Sequence, residues 1–224
     1  MGLFGKSKAE RAAERERFLA ELAGRGWRYE QDGTAHVPAV QAQYDNMVPT
    51  TPGGLERGLA RLEHPITATP QVRAGREVIT GVHRGRPFLI GTFDEVYEGR
   101  SSQTRVEWVY LPAIRPFVSV RRTPALESAI RKGIGRGDRQ LESEEFNKYF
   151  EIQSADDRFA SDVLNPRMMA FLLDDRRRFR GFSITLDKFE VQEPSREENN
   201  VAELLAALDL RCDLLELIPD FVWR

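Results

Sequence analysis

The chain of 224 residues holds one cysteine, Cys212, and three histidines, His36, His64 and His83. One thiol forms no intramolecular disulfide and no multi-cysteine zinc site, and it suits a reducing compartment. With so few imidazoles a metal site would rest on carboxylates; there is no H-E-x-x-H run, and no metal or other cofactor is expected. There is no G-x-S-x-G elbow. No apolar run approaches the roughly 20 residues of a membrane-spanning helix. The stretch before Lys8 has no apolar core of signal-peptide length, so the expectation is a cytoplasmic protein. A dominant charge is also missing: 33 Lys and Arg face 35 Asp and Glu, a formal net charge of −2. Near-neutrality argues against a general nucleic-acid binder and leaves room only for a local basic patch. Internal repeats and low-complexity segments are absent.

What is present is the mix of a folded protein, 41% apolar and 30% charged. Residues 8–23 (KAERAAERERFLAELA) have strong helix composition, with Phe18, Leu19 and Leu22 as a narrow apolar stripe and Gly24 and Gly26 as the stop. Arg25 follows that stop, which sets it apart from Glu21. Residues 31–72 carry five prolines and read as coil lying on the core, with one short helix near 55–62. From residue 77 the period changes. Residues 77–83 and 88–97 read as a hairpin turning at Gly85 and Arg86, with further strands at 104–111 and 116–121. A helix is expected over 123–132, a strand over 147–153, and a helix over 155–164 capped by Ser154. Asn165 and Pro166 open another helix through Leu173. Two strands hinged at Leu186 and Asp187 come next, and a final amphipathic helix spans 201–217. This order predicts an α+β fold, a mostly antiparallel sheet packed by helices. In domain terms it is an N-terminal helix (1–26), free to project, and one α+β domain (27–224).

Residues 115–139 hold seven Lys or Arg against Glu127 and Asp138. Arg121, Arg122, Arg131, Lys132 and Arg136 are the candidates for an anion site, and Arg176, Arg177, Arg178 and Arg180 form a second basic cluster. Gly133, Gly135 and Gly137 resemble a phosphate cradle, but they lack the strand–turn–helix setting and read better as a loop. Residues 193–220 go the other way, with eight acids against two arginines. That acidic helix could answer the basic loops within the chain or dock a partner. The carboxylates around 142–157 read as caps and solvated charges rather than as an acid–base pair.

Residues 141–173 (LESEEFNKYFEIQSADDRFASDVLNPRMMAFLL) contain the series Glu142, Phe146, Asn147, Phe150, Asp156, Ala160, Leu164, Pro166, Arg167, Met168 and Met169. This resembles an uncharacterised actinobacterial protein family with an F-N-x-x-F … L-x-P-R-M-M motif. That family is itself distantly like a domain of unknown function in bacterial membrane-linked proteins. Ile152 stands where the pattern has Val. The likeness extends more weakly to Gly26-Trp27, to 78–81 with 85–88, and to 221–223. The resemblance implies no activity. The motif residues read as architecture: the phenylalanines and methionines as core, Asn147 bonding local backbone, and Arg167 pairing with Glu142 or Asp156.

No catalytic set stands out. The reading is a non-catalytic binding or scaffold module of the bacterial cytoplasm with an unidentified protein partner; peripheral membrane contact stays open, and so does the oligomeric state. The alternatives are an enzyme with a carboxylate–arginine site at Glu142, Asp156 and Arg167, and a weak anion or nucleic-acid binder through 115–139.

Overall fold

The structure is a computed structural model that describes residues 7–47, 70–97, 99–122, 144–174, 181–192 and 200–224. The helices expected over 55–62 and 123–132, the glycine loop at 133–137 and the arginines at 176–180 lie outside these residues.

Helix α1 (Lys8–Gly24) starts where Ser7 and Glu10 close a reciprocal capping box. Each side chain accepts a hydrogen bond from the other's backbone N–H. It ends as the chain reverses through Gly26 at φ +72°. Arg25 still reaches back to Glu21 at 3.1 Å, a pairing the helix end does not prevent because the cap residue keeps helical backbone angles. Far from projecting, α1 is seated on the body: Phe18 and Leu22 are buried in the main core, and Arg15 binds Glu77 at 3.1 Å and the Tyr29 hydroxyl.

Trp27 follows as an anchor. Its indole donates to the Val82 carbonyl at 3.3 Å and packs edge-on against Phe88. Gly81 makes room for it, since a Cβ there would lie 2.5 Å from the indole. Strand β1 (Arg28–Asp32) then pairs antiparallel with β2 (Gln71–His83). Between them the stretch expected as coil contains helix α2 (Val37–Met47), preceded by a 3-10 turn over Thr34–His36. Pro38 sits in its first turn, where a missing N–H costs nothing.

The hairpin of β2 and β3 (Arg86–Tyr97) turns through Arg84 and Gly85, both at positive φ (47° and 75°). That is one residue earlier than the sequence suggests, because a two-residue turn matching the strand twist needs two left-handed positions in a row. The two strands expected over 104–111 and 116–121 are one, β4 (Arg100–Arg122), 23 residues long. On one edge it pairs first with β3 through residue 109, then with β5 from residue 118. Pro112 and Pro116 fall in the interval without a partner on that edge, so their missing N–H groups break no ladder bond.

Helix α3 (Glu144–Tyr149) takes residues expected as strand, and β5 is only Phe150–Ser154. The alternation of 147–153 was misleading because Phe146 and Phe150 stack face to face across the helix–strand junction, 4.5 Å apart. Helix α4 (Asp157–Val163) is capped by Asp156, not Ser154: the Asp156 carboxylate accepts from the Phe159 N–H at 2.8 Å. Helix α5 (Pro166–Asp174) starts as expected, with Asn165 accepting from Arg167 and Met168 N–H. Strand β6 (Gly181–Gln192) pairs with the other edge of β4; the register shifts between Tyr110 and Val118, where β4 carries the extra residues, and Leu186 opposite them stands at φ +58°. Helix α6 (Val201–Glu216), capped by Asn200, and a 3-10 turn over Asp220–Trp223 complete the described chain.

The fold is α+β, and every strand pairing among the described residues is antiparallel. Two apolar cores flank the sheet. The larger joins α1 and α3–α6 to one face. The smaller sets Val37, Val40 and Tyr44 of α2 against Val78, Leu89, Phe93, Val106 and Trp108 on the other. The acidic face of α6 is answered within the chain. Arg84 at the hairpin tip bridges Asp213 and Glu216, both at 2.6 Å, and His83 meets Asp209 at 2.8 Å.

These contacts rank unequally. Phe146→Ala removes a fully buried ring and should cost about 3–5 kcal/mol in chemical denaturation. Arg84→Ala removes half-exposed ion pairs and should cost about 1 kcal/mol or less. Equal losses would show that the hairpin tip is as essential as the core.

Candidate functional site

Arg121 and Arg122 lie side by side near the end of β4 and are both engaged. Arg121 binds Glu151 of β5 at 3.1 Å, and the Arg122 guanidinium lies 5.4 Å over the Phe150 ring. Arg131, Lys132, Arg136 and Glu142 lie outside the described residues. Phe146, Phe150 and Met168 are buried in the main core, Asn147 is half-buried, Pro166 opens α5 and Asp156 caps α4. Arg167 is exposed, and no ion pair joins it to Asp156 among the described residues. Asp156 turns its carboxylate to its own helix N-terminus instead, and Glu142, the other expected partner, lies outside the described residues. The lone thiol, Cys212, is buried in α6 and pushed up by that burial, away from ready ionisation.

The concentration of chemistry lies under α2, in residues that the sequence reading passed over. Gln43 and Tyr44 point from the helix onto the sheet. Gln43 donates through Nε2 to Glu190 of β6 at 2.9 Å, and the Tyr44 hydroxyl donates to Glu95 of β3. Thr104 of β4 adds a second donor to Glu95 at 3.0 Å. Trp108, the cross-strand partner of Glu190, is fully buried between them. Lys188, two residues before Glu190, is nearly buried. Its ammonium binds Asp187 at 2.6 Å and lies 5.3 Å and 5.7 Å from the rings of Trp108 and Tyr110.

A second charged group stands close by. Arg211 of α6, 1% exposed, donates to the carbonyls of Glu107, Ala207 and Val191 and binds the Glu107 carboxylate at 3.1 Å. Arg105 holds the other Glu107 oxygen at 2.6 Å. The Arg211 guanidinium is held by three carbonyls and a carboxylate, which is how a cation survives at that depth.

The electrostatics follow. Glu190 keeps some surface exposure, yet crowding by protein pushes its carboxyl up to about 7. Desolvation is the main cause. Arg211 and the Gln43 amide pull it down, and Glu107 and Glu95 push it up. Burial, with the neighbouring Glu95 carboxylate, also raises Tyr44, so its hydroxyl keeps its proton and stays a donor. Tyr110 is raised chiefly by burial. The layer can therefore hold α2 by hydrogen bonds and exchange a proton near neutral pH. Among the described residues no group of three His, Cys, Asp or Glu is placed to hold a metal ion.

One signal in the sequence marks this layer. Glu190 sits between the apolar Phe189 and Val191 of a strand, which reads as the polar side of a half-exposed sheet. Only the presence of α2 turns that side inward.

No protein-family model matches the chain, and no curated protein matches it in sequence. Among solved structures it is similar to the crystal structure of the mycobacterial trehalose monomycolate transport factor A, TtfA. The identity is 15% and the TM-score 0.49, with 92% of this chain and 97% of that one covered. At that distance no residue role passes between them. No helix among the described residues is long and apolar enough to cross a membrane.

Tyr44→Phe tests whether the layer holds α2. It removes a donor from the buried Glu95 carboxylate and should lower stability by about 1–3 kcal/mol in urea unfolding. A loss below about 0.5 kcal/mol would mean that Thr104 alone satisfies Glu95.

Proposed function

We propose that the chain is a non-catalytic binding or scaffold module of the bacterial cytoplasm that docks a protein partner. The observation that supports this reading is a pair of apolar side chains held in solvent. Ile114 on β4 is 69% exposed and Phe221 in the C-terminal 3-10 turn is 58% exposed. The two segments are linked, since Arg115 donates to the Arg224 carbonyl at 3.4 Å. Pro112 and Pro116 flank Ile114 and discourage strand addition at that edge, which favours contact through side chains over sheet extension. The polar side chains contribute in the opposite sense: those of α6, the hairpin and the layer under α2 are engaged in joining the chain's own elements.

The test compares the full chain with an Ile114→Ser/Phe221→Ser variant as bait, against separate soluble and membrane fractions of a lysate. Both residues are exposed, so the variant should keep its circular dichroism and melt within about 0.5 kcal/mol of the parent. A partner bound by the parent and lost from the variant is the expected result. A partner retained by the variant places the contact elsewhere on the chain, and recovery of nothing from either fraction counts against a binding module.

A further inference from the structure

The Gln43–Glu190 contact is half made. Gln43 is 4% exposed and donates through Nε2, but its Oε1, also buried, has no hydrogen-bond partner among the described residues. A carboxylate only accepts hydrogen bonds, so an ionised Glu190 can use one half of the amide. A protonated Glu190 carries an O–H, and an amide facing a carboxylic acid can close a ring of two hydrogen bonds. The orphan acceptor is thus the group that a protonated Glu190 would satisfy. Leaving a buried carbonyl without a donor is costly, and an amide on a helix facing an acid on a strand removes that cost only while the acid holds its proton.

The surroundings favour the neutral form. Facing Glu190 are Gln43 and Tyr44 from α2, Glu95 from β3, Glu107 and Trp108 from β4, Lys188 from its own strand and Arg211 from α6. Two of these are carboxylates. The two cations are bound elsewhere, Arg211 to Glu107 and Lys188 to Asp187. The Glu190 carboxyl, pushed up to about 7, accordingly titrates in the neutral range.

We propose that Gln43 and Glu190 form a proton-operated latch on α2: the protonated acid closes both hydrogen bonds and holds the helix on the sheet, and loss of the proton opens the ring and loosens the helix. The sign follows from linkage. A folded-state carboxyl raised above its unfolded value binds α2 fully below that unfolded value, and the contribution is lost as pH rises through about 7. The Tyr44–Glu95 bond persists across this range, so the outcome is more frequent local opening of α2 with the rest of the fold intact. What opening uncovers is apolar: Leu89, Phe93, Val106 and Trp108.

Amide hydrogen exchange on the full chain, corrected for intrinsic rates, tests this at pH 5.5 and 8.5. Protection of the α2 amides should fall by at least about tenfold, the ratio that one pKa unit of coupling carries, and level off above about pH 7, while α6 stays constant. Glu190→Gln presents a second amide to Gln43 and cannot ionise, so its α2 protection should be independent of pH. Glu95→Gln removes a repelling charge and should move the pH at which protection levels off downward. Flat α2 protection in the parent, or an unchanged pH dependence in Glu190→Gln, overturns the latch. The parent measurement stands even where a variant fails to fold.

Discussion

A strand of 23 residues must find hydrogen-bond partners along both edges, and no single neighbour in this chain is long enough to supply them. β4 solves this by division: β3 takes its first half, β5 its last five residues, and β6 runs along the opposite edge. The rest of the architecture follows from that arrangement. Among the described residues the β1–β2–β3 strands and β5 and β6 pair with one another only through β4, and the large core spans both because the helices lie across the junction. The handover between β3 and β5 is where the two prolines, the exposed Ile114 and the extra β4 residues opposite Leu186 gather. Those features are tolerated there because the ladder is already interrupted.

The two faces of the sheet are stabilised by different means. Beneath α1 and α3–α6 the core is phenylalanine, leucine, valine and methionine, a large area removed from water. Beneath α2 the apolar cluster is small, and polar bonds from Gln43 and Tyr44 to two strand carboxylates supplement it. Polar attachments of this kind contribute little net free energy but depend steeply on protonation and geometry. An element held this way is the natural place for a conformational response, whereas the methionine- and phenylalanine-lined face is suited to constancy.

Legibility in the sequence tracked how local each signal was. The caps at Asn165 and the glycine stop of α1 were readable because the bonds they make span three or four residues. The acidic helix α6 was readable as charge, and the hairpin tip that answers it lies some 130 residues away in sequence. Helix α2 was hidden by the proline-rich stretch around it and by a weak apolar stripe, so the residues beneath it read as a solvent face. Phe146 and Phe150 show the reverse case. Their spacing suggested a strand entry, but the stacked rings straddle a helix and a strand that no period describes.

The sequence by itself determined the fold class, most element positions, the cap at Asn165 and the exclusion of disulfide and multi-cysteine metal chemistry. All of these rest on composition and on periodicities of two and 3.6 residues. Tertiary structure alone decided that two expected strands are one, that Asp156 and Arg167 do not meet, and that Glu95, Glu107 and Glu190 share one neighbourhood. The physical reason is range. A carboxylate's proton affinity depends on what surrounds it within a few ångströms, and for Glu190 the closest donor is an amide 147 residues away along the chain.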